Sequence, residues 1–251
     1  MAPAPHHRAR AALGRTVHPM TRRPATPSTT PETSQAACCD PTVDLLARSS
    51  EEAALVRRAA FTHLRRGRPA PEATLAEDTG LPVEAVRAAL TELVAVGTAT
   101  VVDRDVVAAG GLSVVPAAHR LRLPGVDLWT WCAFDAIGIP AALGVDALAI
   151  TQCPVCGTAL EVALPQGKPP ADSPLVGWLP ERPCANVQED FCPEANLFCG
   201  RDHLERWRGE ANDPAGRAYS LAGLAAQGQQ VWAEMREAAE HHPGQAGRTI
   251  L

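Results

Sequence analysis

Cys132 and Asp135 are the residues best suited to chemistry, and they stand three positions apart in the apolar stretch 128–140. We predict this stretch to be one helix, in which a spacing of three places the thiol and the carboxyl on the same face. Leu128, Trp131 and Ile139 fall on nearly that face, so we expect the pair to point inward. A buried carboxyl is costly unless it is paired or protonated, and the neighbours of a cysteine decide how much thiolate it holds. The pattern therefore predicts an acid and a thiol that exchange a proton.

Two simpler interpretations of these residues stay open at this point. A cysteine inside a helix usually packs as a small hydrophobic side chain, and Asp135 or Asp127 is equally a candidate helix cap. A second cysteine-centred stretch, residues 190–199 with Cys192 and Cys199, favours the chemical interpretation.

A third cysteine motif, Cys153-Pro154-Val155-Cys156-Gly157, separates two predicted strands. A structural zinc site normally takes four cysteine or histidine ligands, so this knuckle needs a second pair at a suitable spacing. The residues available for that pair are Cys184, Cys192, Cys199 and His203. A single Cys-x-x-Cys knuckle between strands also serves as a plain turn, and we expect the protein to fold without stoichiometric zinc.

Composition narrows the class of protein. The chain has 251 residues, 46% of them hydrophobic, and a formal net charge of −5. An apolar core of that size needs no disulfide scaffold in spite of the eight cysteines. The acidic balance does not favour a nucleic-acid partner, residues 1–37 lack the apolar region of a secretory signal, and no window has the length of a transmembrane helix. We expect a cytoplasmic protein with reduced thiols and no membrane partner.

We predict an α+β protein built from four segments. These are a disordered tail (1–40), a winged-helix-like helical module (41–110), a catalytic α+β domain with a mixed or antiparallel sheet and flanking helices (111–242), and a second tail (243–251). The first tail contains Met20, an alternative start, and the vicinal pair Cys38-Cys39, which we interpret as accidental. In the catalytic segment, strands are predicted at 112–123 (two, around Pro116), 145–150, 158–164, 175–179 and 195–199, and further helices at 201–208 and 220–240.

In the module at 41–110, the spacing of apolar residues predicts three helices followed by a hairpin. This is the order of elements in a winged helix. The predicted helices cover 43–66, 74–79 and 82–96, and the hairpin joins 99–102 to 106–108. Many winged helices bind DNA, but the would-be recognition helix offers only Arg87, alongside Glu84 and Glu92. Since cationic side chains supply most of the affinity for a phosphate backbone, we interpret the module as structural.

The cysteine stretches together resemble the organomercurial, or alkylmercury, lyase family. That family has an aromatic-rich Trp-Cys-Ala-x-Asp segment and then a Pro-Ala-x-x-Gly run. The corresponding residues are Trp131-Cys132-Ala133-Phe134-Asp135 and Pro140-Ala141-Ala142-Leu143-Gly144. The second family cysteine follows a phenylalanine and precedes an apolar strand, as Phe191-Cys192 does here. The resemblance extends over residues 43–240, and one departure is Pro193, where family members often carry a further cysteine.

This resemblance implies cleavage of the carbon–mercury bond of alkyl or aryl mercury compounds by protonolysis, which gives a hydrocarbon and Hg(II). Cys132 and Cys192 would hold the mercury, because soft metals select thiolate ligands. Asp135 would carry the proton to the leaving carbon. The resemblance implies no required cofactor. Hg(II) is the bound product, which low-molecular-weight thiols or a mercuric reductase would collect.

Two further groups of residues are candidates around this site. Trp129, Trp131 and Phe134 are candidates for the wall that faces the organic group, although core packing accounts for them equally well. Cys153, Cys156 and Cys199 are candidate accessory thiols.

A non-enzymatic interpretation stays open as well. It is a soft-metal sensor or regulator, in which a winged-helix module is joined to a cysteine-rich metal site. Its ligands would be Cys153, Cys156, Cys192 and Cys199. Release of a hydrocarbon from an organomercurial separates this interpretation from the lyase.

Overall fold

The structure is a computed structural model, and it describes residues 49–240. The predictions for the two tails, for Met20 and for Cys38-Cys39 concern residues outside that range, as does the start of the first predicted helix at 43–48.

Seven α-helices lie within the described residues. They are α1 (Glu51–Leu64), α2 (Glu72–Thr79), α3 (Val83–Ala95), α4 (Ala133–Leu143), α5 (Arg201–Glu210), α6 (Leu221–Val231) and α7 (Ala233–Glu240). Local sequence determines several of their ends. The Ser50 and Ser220 hydroxyls accept hydrogen bonds from first-turn amides of α1 and α6. Gly80 and Gly144 end α2 and α4 in the left-handed conformation.

Eleven strands form two antiparallel sheets in the same part of the chain. The strands are β1 (Ala70–Pro71), β2 (Ala99–Val102), β3 (Asp105–Ala109), β4 (Leu112–Ser113), β5 (His119–Leu123), β6 (Val126–Thr130), β7 (Ala147–Gln152), β8 (Ala159–Leu164), β9 (Val176–Pro180), β10 (Leu197–Phe198) and β11 (Gly216–Ser220). The larger sheet has the order β1-β3-β4-β6-β5-β7-β8, with β2 also paired to β3, and the smaller has the order β10-β9-β11. The predicted α+β class with an antiparallel sheet is confirmed.

The helix α4 is the centre of the core. Its residues from Ala133 to Ala142 are all buried, which is typical of a helix that is apolar on every side. It packs on α6 where two glycines meet. A Cβ atom on Gly228 would lie only 2.2 Å from Gly138 Cα, so small residues permit this close approach. At the end of α6, the Trp232 indole N–H donates to the Gly110 carbonyl at 2.8 Å.

The prediction of a single helix over 128–140 was wrong in its first part. Leu128, Trp129 and Thr130 belong to β6, where Leu128 and Thr130 are buried and Trp129 is half-buried. Aromatic and β-branched residues favour a strand, and periodicity alone does not separate a short apolar strand from a buried helix. Leu128 therefore shares no helical face with Cys132. The thiol and carboxyl still meet, because Cys132 is the N-cap of α4.

The larger sheet crosses the predicted boundary between residues 110 and 111, since β3 pairs with β4 and β4 pairs with β6. In the N-terminal part, α1, α2 and α3 precede the hairpin β2–β3, as the sequence predicts. The winged-helix assignment and the division into domains stay predictions. Across residues 49–240 we find no helix with the combined length and apolarity of a membrane span.

Candidate active site

Cys132, Asp135 and Cys192 form one buried cluster. The two sulfur atoms and a carboxylate oxygen all lie within 4.8 Å of one another. The exposed fractions of the residues are 0%, 5% and 6% in that order. Cys132 and Asp135 come from the start of α4, whereas Cys192 lies between β9 and β10. The three groups predicted from sequence are thus brought together.

A reciprocal helix cap fixes Asp135 beside Cys132. The carboxylate atom Oδ2 accepts a hydrogen bond from the Cys132 N–H at 2.9 Å, and the Asp135 N–H faces the Cys132 sulfur. This is a capping box with a thiol in the usual place of a hydroxyl. The Trp131 backbone lies close to the carboxylate as well, and its N–H donates to the Gly111 carbonyl at 3.4 Å. The capping role that the sequence left open therefore exists, and it orients the carboxyl towards the thiols.

Cys192 approaches the pair from a different segment. It ends the π-helical turn Val187–Phe191, whose amides are capped by the Asn186 side chain. The Ala133 N–H at the start of α4 donates to the Ala195 carbonyl at 3.1 Å. This hydrogen bond ties the Cys192 segment to the helix that carries the other two groups.

Burial controls the protonation of all three groups. Desolvation raises the pKa of the Cys132 thiol well above its ordinary value, and its hydrogen bond to Cys192 and the Asp135 charge act in the same direction. The hydrogen bond from Cys132 lowers the pKa of Cys192, but desolvation and the Asp135 charge outweigh it, so the pKa is raised overall. Desolvation raises the pKa of Asp135 to about 7 against the hydrogen bonds it accepts. Near neutral pH the thiols hold their protons, and Asp135 is able both to take and to give one.

A cleft of about 450 Å³ opens beside the cluster. Its lining includes Cys192 but neither Cys132 nor Asp135. Trp131 and Pro154 contribute apolar wall. A ligand in the cleft therefore reaches Cys192 first, and the other two groups lie behind it.

The structure places only one of the three predicted wall aromatics on the cleft, namely Trp131. Trp129 lies under the guanidinium of Arg120, with 6.0 Å between that group and the ring centroid. Phe134 is 2% exposed, and its ring packs on Trp232 with the centroids 5.1 Å apart. Trp129 faces the side of β6 opposite to the buried residues Leu128 and Thr130, and Phe134 belongs to the core.

Sequence reasoning missed the polar part of the cleft wall. His119 lies there with Gln152, and its Nδ1 is 2.5 Å from the Thr151 hydroxyl. Burial lowers the pKa of His119 to about 4, so its imidazole is neutral at physiological pH. These side chains meet because β5 pairs with β7, and no local pattern in the sequence marks that pairing.

A second cluster gathers Cys153, Cys156, Cys199 and His203. The predicted accessory thiols are therefore together, and Cys199 with His203 forms the second pair beside the knuckle. Cys192 belongs to the first cluster, and Cys184 to neither. The ligand set expected for a sensor, with Cys192 as its fourth member, is not assembled in the structure.

Comparison with known proteins identifies similar sequences. The family model for alkylmercury lyase matches residues 112–233. The alkylmercury lyase of Staphylococcus epidermidis is 27% identical over 147 residues, which make up 57% of this chain and 67% of that protein. The alkylmercury lyase of Streptomyces lividans is 28% identical over 149 residues, again 57% of this chain and 67% of the relative.

The fold is shared with a solved structure as well. The crystal structure of the mercury-bound form of MerB2 matches with a TM-score of 0.70 at 23% identity, and the match covers 76% of this chain and 95% of that chain. The region that the family model matches includes all three residues of the buried cluster. The family model, the two relatives and the common fold together support the alkylmercury lyase family for this chain.

Proposed function

We propose that this chain is an organomercurial lyase that breaks the carbon–mercury bond by protonolysis at Cys132, Asp135 and Cys192. The observation that carries the proposal is the buried cluster, in which two thiols and a carboxyl lie within 4.8 Å. Mercury(II) is soft and prefers sulfur ligands. A carboxyl whose pKa is about 7 moves a proton efficiently near neutral pH.

Cys192 captures the substrate first. It lines the cleft, and the hydrogen bond from Cys132 favours its thiolate over that of Cys132. An organomercurial that arrives as a thiol adduct, R–Hg–SR′, exchanges its thiolate. The Cys192 sulfur forms the new mercury–sulfur bond, and the small thiol leaves as R′SH with the Cys192 proton.

Cys132 then adds a second sulfur, and Asp135 moves the proton. As the Cys132 sulfur bonds to mercury, its proton passes to the adjacent Asp135 carboxylate, which the capping hydrogen bond of 2.9 Å holds in place. Two sulfur donors raise the electron density on the carbon bound to mercury. Asp135 gives its proton to that carbon while the carbon–mercury bond breaks, and the electron pair of the broken bond becomes the new carbon–hydrogen bond. The hydrocarbon RH leaves, Hg(II) stays on the two thiolates, and Asp135 returns to its ionised form.

Hg(II) leaves by a second thiol exchange. Two small thiols return protons to Cys132 and Cys192 and carry the mercury away as a dithiolate. We take low-molecular-weight thiols or a mercuric reductase as the acceptors, in the cytoplasm, where thiols are kept reduced. No step of this scheme requires a cofactor.

The variant Asp135→Asn tests the scheme by separating capture from cleavage. The amide is nearly isosteric but neither takes nor gives an acidic proton, so we expect phenylmercury to be captured at Cys192 while benzene release falls by roughly 10²–10⁴. The variant should lower the turnover rate and leave the affinity for phenylmercury nearly unchanged, because the carboxyl acts in the transition state. A binding titration with phenylmercury is run beside benzene detection on the same folded protein.

The matched control is Asp127→Asn. Asp127 is an exposed carboxylate on β6 that pairs with Arg120 and Arg122, so this variant should keep wild-type turnover. Normal benzene release by folded Asp135→Asn would remove Asp135 from the mechanism. Substantial release by Cys192→Ser would refute the two-thiolate scheme.

A further inference from the structure

We propose that Cys153, Cys156, Cys199 and His203 bind one structural Zn²⁺. Their ligand atoms all lie within 4.8 Å of one another. The Cys153 sulfur is 3.3 Å from His203 Nδ1, and the Cys156 sulfur is 3.6 Å from the Cys199 sulfur. Tetrahedral zinc with ordinary bond lengths separates two sulfurs by about 3.8 Å, and a sulfur from a nitrogen by about 3.6 Å. These two separations are close to those in a zinc coordination shell, and the remaining pairs of ligand atoms lie within 4.8 Å.

The composition of the donor set favours zinc in a structural role. Three cysteines and one histidine make a complete four-ligand set, which leaves no position for a substrate. Imidazole suits zinc, whereas the softest ions select sulfur alone. The cluster that holds Cys132 and Cys192 offers two thiols and no imidazole, so the two clusters are suited to different ions.

The knuckle is folded as a metal-binding turn. Gly157 closes it with a φ of +71°, and its N–H donates to the Cys153 carbonyl at 2.8 Å. Backbone hydrogen bonds from Cys199, Cys156 and Val155 converge on the buried Cys153 sulfur. A cysteine that served only as a small apolar side chain would need none of them.

The second pair of ligands lies just after the last residue of β10 in the smaller sheet. Cys199 directly follows β10, and His203 lies in the first turn of α5. A bound ion would therefore fasten the β7–β8 hairpin of the larger sheet to the smaller sheet. Pro154, between the two knuckle cysteines, lines the active-site cleft. We infer that zinc holds this wall of the cleft in position. This inference replaces the expectation, made from the sequence, that the chain folds without stoichiometric zinc.

Metal analysis of the full chain tests the site. The protein is expressed with zinc in the medium and purified under reducing conditions without chelator. We expect about one zinc per wild-type chain, loss of that zinc in Cys156→Ser, and retention in His203→Cys, which keeps four ligands. The double variant Cys132→Ser/Cys192→Ser should also keep its zinc, because it alters only the other cluster. Cobalt(II) in place of zinc should give the absorption of a tetrahedral sulfur site, and the band positions should shift in His203→Cys.

Several results would overturn the proposal. The proposal fails if the wild-type protein is purified without zinc under these conditions. This holds whether Cys156 and Cys199 are then free thiols or form a disulfide. Zinc that is lost from the double variant at Cys132 and Cys192, but kept in Cys156→Ser, would place the ion in the active site instead. A zinc-free chain that takes a second Hg(II), absent in Cys156→Ser, would assign the cluster to mercury. The wild-type zinc content and cobalt spectrum require no variant to fold, and neither depends on lyase activity.

Discussion

Asp135 is the residue on which the proposed chemistry depends. Its carboxyl is enclosed by Cys132, Trp131 and Gly111, and desolvation raises its pKa to about 7. In an unfolded chain the pKa of an aspartate is about 3.9. An ordinary surface aspartate would be too weak a base to take a thiol proton, whereas a carboxyl with a pKa of about 7 is suited to accept a proton and return it near neutral pH.

The pKa of Asp135 sets the expected pH dependence of cleavage. Asp135 must be ionised to take the Cys132 proton, so cleavage should rise with pH through about 7 and then level off. Below about pH 6 we expect the single-turnover rate to fall roughly tenfold per pH unit, because the ionised fraction falls by that factor. Benzene release from phenylmercury measures it, with Asp127→Asn as a variant that should give the same profile. A rate that stays constant from about pH 5.5 to about pH 8 would contradict this role for Asp135.

At the level of structural elements, the turn between β3 and β4 supports the site from outside α4. Gly111 in this turn has a φ of +90°, and a Cβ atom there would lie 2.7 Å from both Cγ and Oδ1 of Asp135. Gly125, in the turn between β5 and β6, has a similar φ of +78° but no atom within 4 Å of its Cβ position. Both glycines thus have a positive φ, which is unfavourable for alanine, but only Gly111 lies against the Asp135 carboxyl.

Alanine substitution at these two turns should separate the effects of strain and contact. Both variants should lose roughly 1 kcal/mol or more of stability, because alanine is strained at positive φ. Only Gly111→Ala should also lose turnover, since its methyl group displaces Asp135 from Cys132, and a small displacement of a catalytic group costs on the order of 10²-fold. The measurement is benzene release per folded chain, with folding monitored by urea denaturation. Equal turnover in the two variants would show that the β3–β4 turn does not position the carboxyl.

The elements also show how far sequence reasoning reaches. The spacing of Cys132 and Asp135 predicted their contact, and it holds because a cap and the third residue of a helix are neighbours on one turn. The helix was extended wrongly through Leu128–Thr130, because a short apolar run fits a strand as well as a helix. The contacts of Cys156 with Cys199 and of Asp135 with Gly111 depend on how the sheets and α4 pack. No local pattern encodes such distant pairings.

For the whole molecule, the cleft lies between two groups of sulfur ligands with different environments. In the first group, Cys132 and Asp135 are buried behind Cys192, and the second group lies near Pro154, between the β7–β8 hairpin and the start of α5. The helix α3 presents no unpaired cationic side chain for a nucleic acid. The guanidinium of Arg87 pairs with Glu72 at 3.1 Å and with Glu84 at 2.8 Å. The absence of a nucleic-acid partner stays a prediction, and these ion pairs favour it.

The most direct test of the whole account is the isotopic composition of the hydrocarbon. Phenylmercury is incubated with the full chain and excess thiol in D₂O, where the Asp135 carboxyl and both thiols exchange their protons for deuterons. Protonolysis predicts one benzene per phenylmercury consumed, carrying a single deuterium at the carbon that held mercury, and no such product from Cys132→Ser or Cys192→Ser. Absence of benzene, or benzene without deuterium, would contradict cleavage by proton delivery at this site.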